Sequence, residues 1–431
     1  MAIRLDATES NFDAAFADLL AMKREVSDDV DAIVRDIIDE VRARGDDALY
    51  DYTAKFDRFD ARSKGLRISE AEIEAAVAKV DPEVMKALEL AAERIRSHHA
   101  RQLPKDDFYE DALGVKLGSR WNAIEAVGLY VPGGLAAYPS SVLMNAVPAK
   151  VAGVERLVMV VPTPDDVLNP LVLAAAKLAG VDEIYRIGGA QAVAALAYGT
   201  QSIAPVYKIV GPGNAFVAAA KRRVFGLVGI DMIAGPSEVL ILADKNNDPD
   251  WLAVDLMAQA EHDKVAQAML ITDDAATADA VEEAVKRLLT TLPKAEIAGA
   301  SWADYGAVIT VPDWETGMAL ANRIAPEHLE LAMDNAPDYL DKVRNAGAVF
   351  VGHYTPEAVG DYVGGSNHVL PTARSARFSS GLSTLDFVKR TSVLECNVEN
   401  LRQIGPAAVI LARQEGLEAH ARSVAKRLNM E

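Results

Sequence analysis

Residues 183–225 read EIYRIGGAQAVAALAYGTQSIAPVYKIVGPGNAFVAAAKRRVF. Twice in succession an apolar run, 183–187 and then 206–210, ends in a glycine turn and passes into an alanine-rich helical stretch, 190–197 and then 214–225. Short apolar runs bounded by turn signals read as buried strands. Strands that alternate with helices need crossover connections, and crossovers make parallel sheets. The alternation extends outward through apolar runs at 156–161, 238–243, 268–272, 306–311 and 348–351, with helical stretches at 170–179, 251–261 and 276–289. Strands in this number form one large sheet or two smaller ones.

The flanks read differently. Up to about residue 105 the pattern is helical, with Ile33, Ile37, Val41 and Leu49 at helical spacing. Ser69 followed by Glu70 and Glu72 loads acids into a first turn, and Asp81-Pro82 restarts a helix toward His98-His99. That histidine pair lies on a charged face and reads as solvated. Residues 115–131 change character and end in a turn at Tyr130-Val131-Pro132-Gly133-Gly134. At the other end, 385–397 reads as extended, and a helix follows from Val398, broken near Gly405-Pro406.

Composition excludes several classes. The 431 residues carry 63 acids and 44 bases, a net charge of −19. The bases are interleaved with acids, so there is no electrostatic footprint for nucleic acid. Cys396 is the only cysteine, which leaves no intramolecular disulfide and no cysteine-rich metal site. The opening MAIRLDATES lacks a charged and then apolar leader pattern, and no uninterrupted apolar run is long enough to span a membrane. A reducing cytoplasm is the expected compartment.

Several segments carry chemistry-bearing side chains. Gly188-Gly189-Ala190-Gln191 and Gly211-Pro212-Gly213-Asn214 each follow a strand and open a helix, where backbone N–H groups can meet phosphate. Neither is a full dinucleotide fingerprint: Phe216 stands where a third glycine would in the second. Residues 230–238 interrupt an apolar stretch with Asp231, Gly235, Pro236 and Ser237. They form either a turn before a strand or a polar loop facing a cleft.

Gln259 and His262 close a helix three residues apart, so an amide oxygen and an imidazole could reach one metal ion. A solvated helix end is the plainer reading. Pro326-Glu327-His328-Leu329-Glu330 places an acid beside a base at the start of a strand, a pairing suited to proton transfer. Residues 360–368 form a glycine-rich polar loop with Asp361 and His368, and 415–420 supply Glu415 and His420.

Together these segments resemble the histidinol dehydrogenase family. The matching stretches are 130–134, 188–191, 211–214, 231–238, 259–262, 326–330, 360–372 and 415–420, in the family's order and over nearly the whole chain. The resemblance implies a zinc- and NAD-dependent oxidation of L-histidinol, through the aldehyde, to L-histidine, the last two steps of histidine biosynthesis. By it, Gln259, His262, Asp361 and His420 match zinc ligands, and Glu327 and His328 the catalytic pair. Ser237 and Glu415 match substrate-holding positions, as do the four ligands and His328. Tyr130, Gln191 and Asn214 match contacts to NAD. A relative acting on another polar alcohol would share the acid–base pair, and a metal-dependent binding protein would need neither Glu327 nor His328.

The expected architecture is α/β with two Rossmann-like parallel-sheet domains. A helical N-terminal segment occupies 1–25. A larger domain comprises 26–129 with 238–381, and a second, NAD-contacting domain spans 130–237. The tail, 382–431, is exchanged in a homodimer, so that Glu415 and His420 complete the neighbour's site.

Overall fold

The computed structural model describes residues 2–22, 28–133, 138–233 and 235–430, without the side chains of 28 and 29. Gly134 of the expected turn, Ala234 of the polar loop and part of the expected 1–25 segment lie outside the described residues. The apolar runs form two separate parallel sheets. In the first, six strands lie in the order Ile3–Asp6, Ala307–Thr310, Gln267–Thr272, Glu238–Ala243, His328–Ala332 and Ala348–Val351. In the second, five lie in the order Glu183–Tyr185, Arg156–Val160, Ala126–Tyr130, Lys208–Val210 and Gly229–Ile230. A small antiparallel sheet joins Asp107–Glu110, Lys116–Ala123 and Val388–Glu395.

Both parallel sheets are buried on two faces, which is why their strands read as continuous apolar runs. In the five-stranded sheet, Ala126 and Tyr130 face one core while Val127 and Leu129 face the other. In the six-stranded sheet, Leu240 and Leu242 face the helices Phe12–Ala21 and Trp314–Ile324, while Val239 and Ile241 face Pro249–Ala260 and Ala275–Leu288. The five-stranded sheet starts its chain order at the inner strand Ala126–Tyr130, adds strands to one side, and then crosses to the other; the six-stranded sheet does the same from Glu238–Ala243, with the earlier strand Ile3–Asp6 at its edge. The crevice at such a reversal, outside the carboxyl ends of the strands, is where open α/β sheets bind ligands.

The cores divide differently from the sequence expectation. Helices Asp28–Arg44, Asp46–Asp57 and Pro82–Ala100 pack on the five-stranded sheet, with Val34, Ile37 and Leu49 in its core and Ile95 in the core on its other face. The expectation that 26–129 belongs with 238–381 fails here because helical periodicity reveals a buried face and not what covers it. The first residues are not only helical, since Ile3–Asp6 is an edge strand of the six-stranded sheet with Ile3 beside Ala307. His99 is fully buried, its Nδ1 2.8 Å from the Ile95 carbonyl oxygen, so only His98 of that pair is solvated. The tail is extended and then helical, but helix Val398–Gln414 runs through Pro406 without a break. It packs against Glu418–Leu428 and leaves Leu394, Val398, Ile410 and Leu411 exposed.

One turn sets a strict steric demand. Gly211 has φ +112°, and a Cβ there would lie 2.1 Å from the Tyr130 carbonyl oxygen. Buried Lys221 donates to its carbonyl at 3.0 Å and pairs with Asp231, whose carboxylate accepts from Gly211 N at 2.8 Å. The Gly211→Ala variant should therefore lose about 3 kcal/mol of stability. Urea unfolding checks this, with a midpoint shift at unchanged slope as the expected result.

Candidate active site

The expected acid–base pair lies at the amino-end edge of the six-stranded sheet. His328 is the first residue of its strand, between Val239 and Ala348 of the neighbouring strands. Helix Trp314–Ile324 ends in Ala325 at φ +51°, and Pro326, which has no backbone N–H to continue the helix, leads the chain to Glu327. Helix Pro249–Ala260 brings its C-terminus to this edge, and with it Gln259. The short helix Glu357–Tyr362 brings Glu357 and Asp361, four residues apart and hence on one face.

Geometry assigns the His328 tautomer. Its Nδ1 lies 3.1 Å from the Glu238 carbonyl oxygen, which can only accept. Nδ1 therefore carries the hydrogen, and the Nε2 lone pair is free. Nε2 has no hydrogen-bond partner and sits 3.7 Å from an Asp361 oxygen. Burial pushes the imidazole down to about 3, so it is neutral at working pH. Glu327 accepts from Glu238 N at 2.9 Å and from Ser237, and lies 3.8 Å from His328 Nδ1. Burial raises its carboxyl well above the ordinary range.

Acids crowd this edge. Glu357 is 3.6 Å from His328 Nδ1, and its Oε2 is buried without a partner. Its backbone N–H donates to Glu330 at 2.8 Å. Glu330 is pushed up to about 8 by burial and then by Asp255, and Asp361 to about 6 by burial. A buried carboxyl without a cation is costly to ionise, so this pocket is suited to positively charged ligands. His328, Glu357 and Asp361 offer ligand atoms within 4.8 Å of one another, close enough for one metal ion.

The residues matched to zinc meet this geometry in part. Both amide atoms of Gln259 are buried with no partner, which fits a ligand awaiting its ion. His262 lies beyond the helix end rather than on a shared helical face, in a turn where its N–H donates to Gln259 O at 3.2 Å. His420 and Glu415 are exposed on the tail and have no described contact with this edge. A second cluster, Asp244, Asp334 and His353, lies at the opposite, carboxyl edge of the sheet. There His353 is already engaged by Asn247 at 2.8 Å and Asp334 at 3.0 Å.

The positions matched to NAD gather at the carboxyl edge of the five-stranded sheet, where its strand order reverses. Tyr130 ends its strand, and its hydroxyl accepts from Gly189 N at 3.0 Å. Burial pushes that phenol up to about 12. Gln191 is buried in the first turn of helix Gly189–Tyr198. Asn214 caps helix Ala215–Val224 by accepting from Phe216 N at 3.1 Å and Val217 N at 3.2 Å. His368 links this domain to the acid–base pair, its Nδ1 3.1 Å from Asp361 O and its Nε2 3.4 Å from Ser141 Oγ.

Sequence reasoning gave no role to Glu357, Glu330, Glu238 or Asp255. The spacing of Glu357 and Asp361 was a usable signal, and so was Glu330 two residues along a strand from His328. Asp255 had no comparable signal, because only packing places it against Glu330.

The family model described as histidinol dehydrogenase matches residues 20–428. A protein named histidinol dehydrogenase from Rhizobium meliloti (strain 1021) is 68% identical over 430 residues, covering 100% of this chain and 99% of the relative. One from Brucella abortus (strain 2308) is 66% identical over 430 residues, covering all of both chains. The crystal structure of histidinol dehydrogenase from Elizabethkingia anophelis superposes with a TM-score of 0.94 at 36% identity, covering 99% of this chain and 98% of that one.

The raised pKa of Glu330 makes stability depend on pH. Its contribution to stability is present below its ordinary value of 4.5 and is lost as pH rises toward about 8. A Glu330→Gln variant keeps the acceptor for Glu357 N and removes the titration. Its thermal midpoint should rise relative to wild type between those two pH values, and the gap should stop widening above them. A gap independent of pH would refute the assignment.

Proposed function

The chain belongs to the histidinol dehydrogenase family, and we propose from that premise that it oxidises L-histidinol to L-histidine with NAD, in two steps at the edge that holds Glu327 and His328. The first step converts R–CH2OH to R–CHO, releasing one hydride and one proton. The second adds water to the aldehyde and releases a second hydride, leaving the carboxylate and two protons. Two NAD are consumed per histidinol. Bound NAD supplies the hydride acceptor in both steps, and bound zinc holds and orients the substrate.

The observation that carries the reading is the orientation of His328. Its Nδ1–H is directed at the Glu238 carbonyl oxygen, and the unpartnered Nε2 is left as the base. Burial keeps it neutral, so the lone pair is available to take the hydroxyl proton. The same atom takes a proton from the hydrated aldehyde in the second step. Glu327 activates the water. Burial disfavours its carboxylate, and a cationic substrate beside it would favour the carboxylate that this role needs. Cys396 lies outside the segments matched to the family's site, so in this reading the aldehyde is oxidised as its hydrate and not as a thiol adduct.

Gln259, His262 and Asp361 would hold the metal, with His420 as the fourth ligand. Two imidazoles, a carboxylate and an amide oxygen suit Zn²⁺ and are less selective than thiolates. Ser237, the four ligands, His328 and Glu415 would hold the substrate, and Tyr130, Gln191 and Asn214 the dinucleotide. His420 and Glu415 belong to an exposed tail with apolar residues open to solvent, so we assign them to the site of a second copy in a homodimer.

Zinc-loaded protein should form two NADH per histidinol, followed at 340 nm, and no histidinol-dependent rise would overturn the proposal. His328→Ala should lower kcat by ~10²-fold or more with histidinol binding largely kept. His420→Ala should lose bound zinc, read by metal analysis after dialysis. Zinc content and turnover both equal to wild type would remove the assignment of the tail.

A further inference from the structure

A dinucleotide fold usually places an acid about 20 residues after its glycine turn to hold the adenosine ribose. The turn at Gly188-Gly189 has none there, and Asp231, 20 residues after Gly211, is engaged by Lys221 and the Gly211 N–H. The structure supplies an acid there from another part of the chain. Asp57 ends helix Asp46–Asp57, which packs against the turn Pro164–Asp166 that follows strand Arg156–Val160. Arg58 is turned away to Asp165 at 2.7 Å, which ties this corner to the turn. Phe59 lies under the Arg186 guanidinium, 5.7 Å from its ring centre, just beyond strand Glu183–Tyr185. The corner 57–59 therefore sits near the carboxyl ends of strands Arg156–Val160 and Glu183–Tyr185, on one side of Ala126–Tyr130. The field of Asp57 reaches the Tyr130 phenol.

Asp57 is held at a cost. It is 7% exposed, and its Oδ2 has no hydrogen-bond partner. It stands at a helix C-terminus, where the helix dipole disfavours negative charge. Burial pushes its carboxyl up to about 6. Thr163, 2% exposed in the same turn region, also has a hydroxyl without a partner. Unsatisfied buried polar groups at a ligand crevice mark places that a ligand's own donors complete.

We propose that Asp57 accepts hydrogen bonds from the vicinal hydroxyls of the adenosine ribose of NAD, with Thr163 beside it. The inference rests on the reading that NAD binds at this edge. It also supplies a reason for the chain to choose NAD over NADP, because a carboxylate facing the 2′ position repels a 2′-phosphate.

The test measures NADH binding by fluorescence, without turnover, for wild type, Asp57→Asn and Asp57→Ala. It uses two probes, NADH and an analogue whose adenosine carries no 2′- or 3′-hydroxyl. Wild type should bind the analogue about tenfold more weakly or worse, as expected for a hydrogen bond to a charged group. Both variants should bind NADH about tenfold more weakly and lose little more with the analogue. The thermal midpoint of Asp57→Asn without nucleotide should equal or exceed that of wild type, because an unpaired buried acid has been removed. Equal wild-type affinity for the two probes overturns the proposal whether or not the variants fold. So does a folded Asp57→Ala that binds NADH as tightly as wild type. Wild type that fails to bind NADH at all overturns the cofactor reading as well, which separates the two failures.

Discussion

Carboxyl groups buried without cations are the constraint on which the rest of the site depends. Glu327, Glu330 and Glu357 are all at most 5% exposed, with Asp255 and Asp361 adding their charge. Taking ionised carboxylates out of water is expensive, so such a cluster survives only where the surrounding fold is strongly stabilised. Here two apolar cores flank the six-stranded sheet and supply that stability. The cluster in turn prepares the pocket for positive charge. A dication and a protonated amine would each meet acids already held in place, with the reorganisation cost met in folding.

The two sheets meet in opposite senses. The five-stranded sheet presents its carboxyl edge, where strand order reverses, and the six-stranded sheet presents its amino edge, where Glu238 and His328 begin their strands. His368 spans the junction, touching Asp361 on one side and Ser141 on the other, while Thr372 Oγ accepts from Gly235 N at 2.6 Å. A hydride acceptor held on one sheet could thus face a base held on the other. The carboxyl edge of the six-stranded sheet is instead tied up by Asp244, Asn247, Asp334 and His353 bonding to one another.

Much of this was legible in the residues. Strands such as Glu238–Ala243 and helices such as Pro170–Ala179 were read within a residue or two, because an apolar run buried on both faces leaves a plain signal. The short strand Gly229–Ile230 and the edge strand Ile3–Asp6 were not read. Too few residues carry the pattern, and their partners lie far away in sequence. His99 was misread because its neighbours in the helix are charged, while the residue that covers it, Asn367, comes from the far end of the chain.

By itself the sequence determined that the chain alternates strand and helix, that the sheets are parallel, and that Glu327-His328 stands at a strand start. Through resemblance it also determined the family. These are local or linear properties, set by turn residues, apolar periodicity and motif order. Only the tertiary structure decided the strand orders of the two parallel sheets, that residues 28–100 cover the five-stranded one, and that His328 donates from Nδ1 to Glu238. It alone brought Glu357, Glu330 and Asp255 close to His328, and Asp57 to the turn Pro164–Asp166. Each of these depends on contacts between residues tens to hundreds of positions apart, and on the desolvation that such contacts impose. Neither is encoded in any single window of the chain.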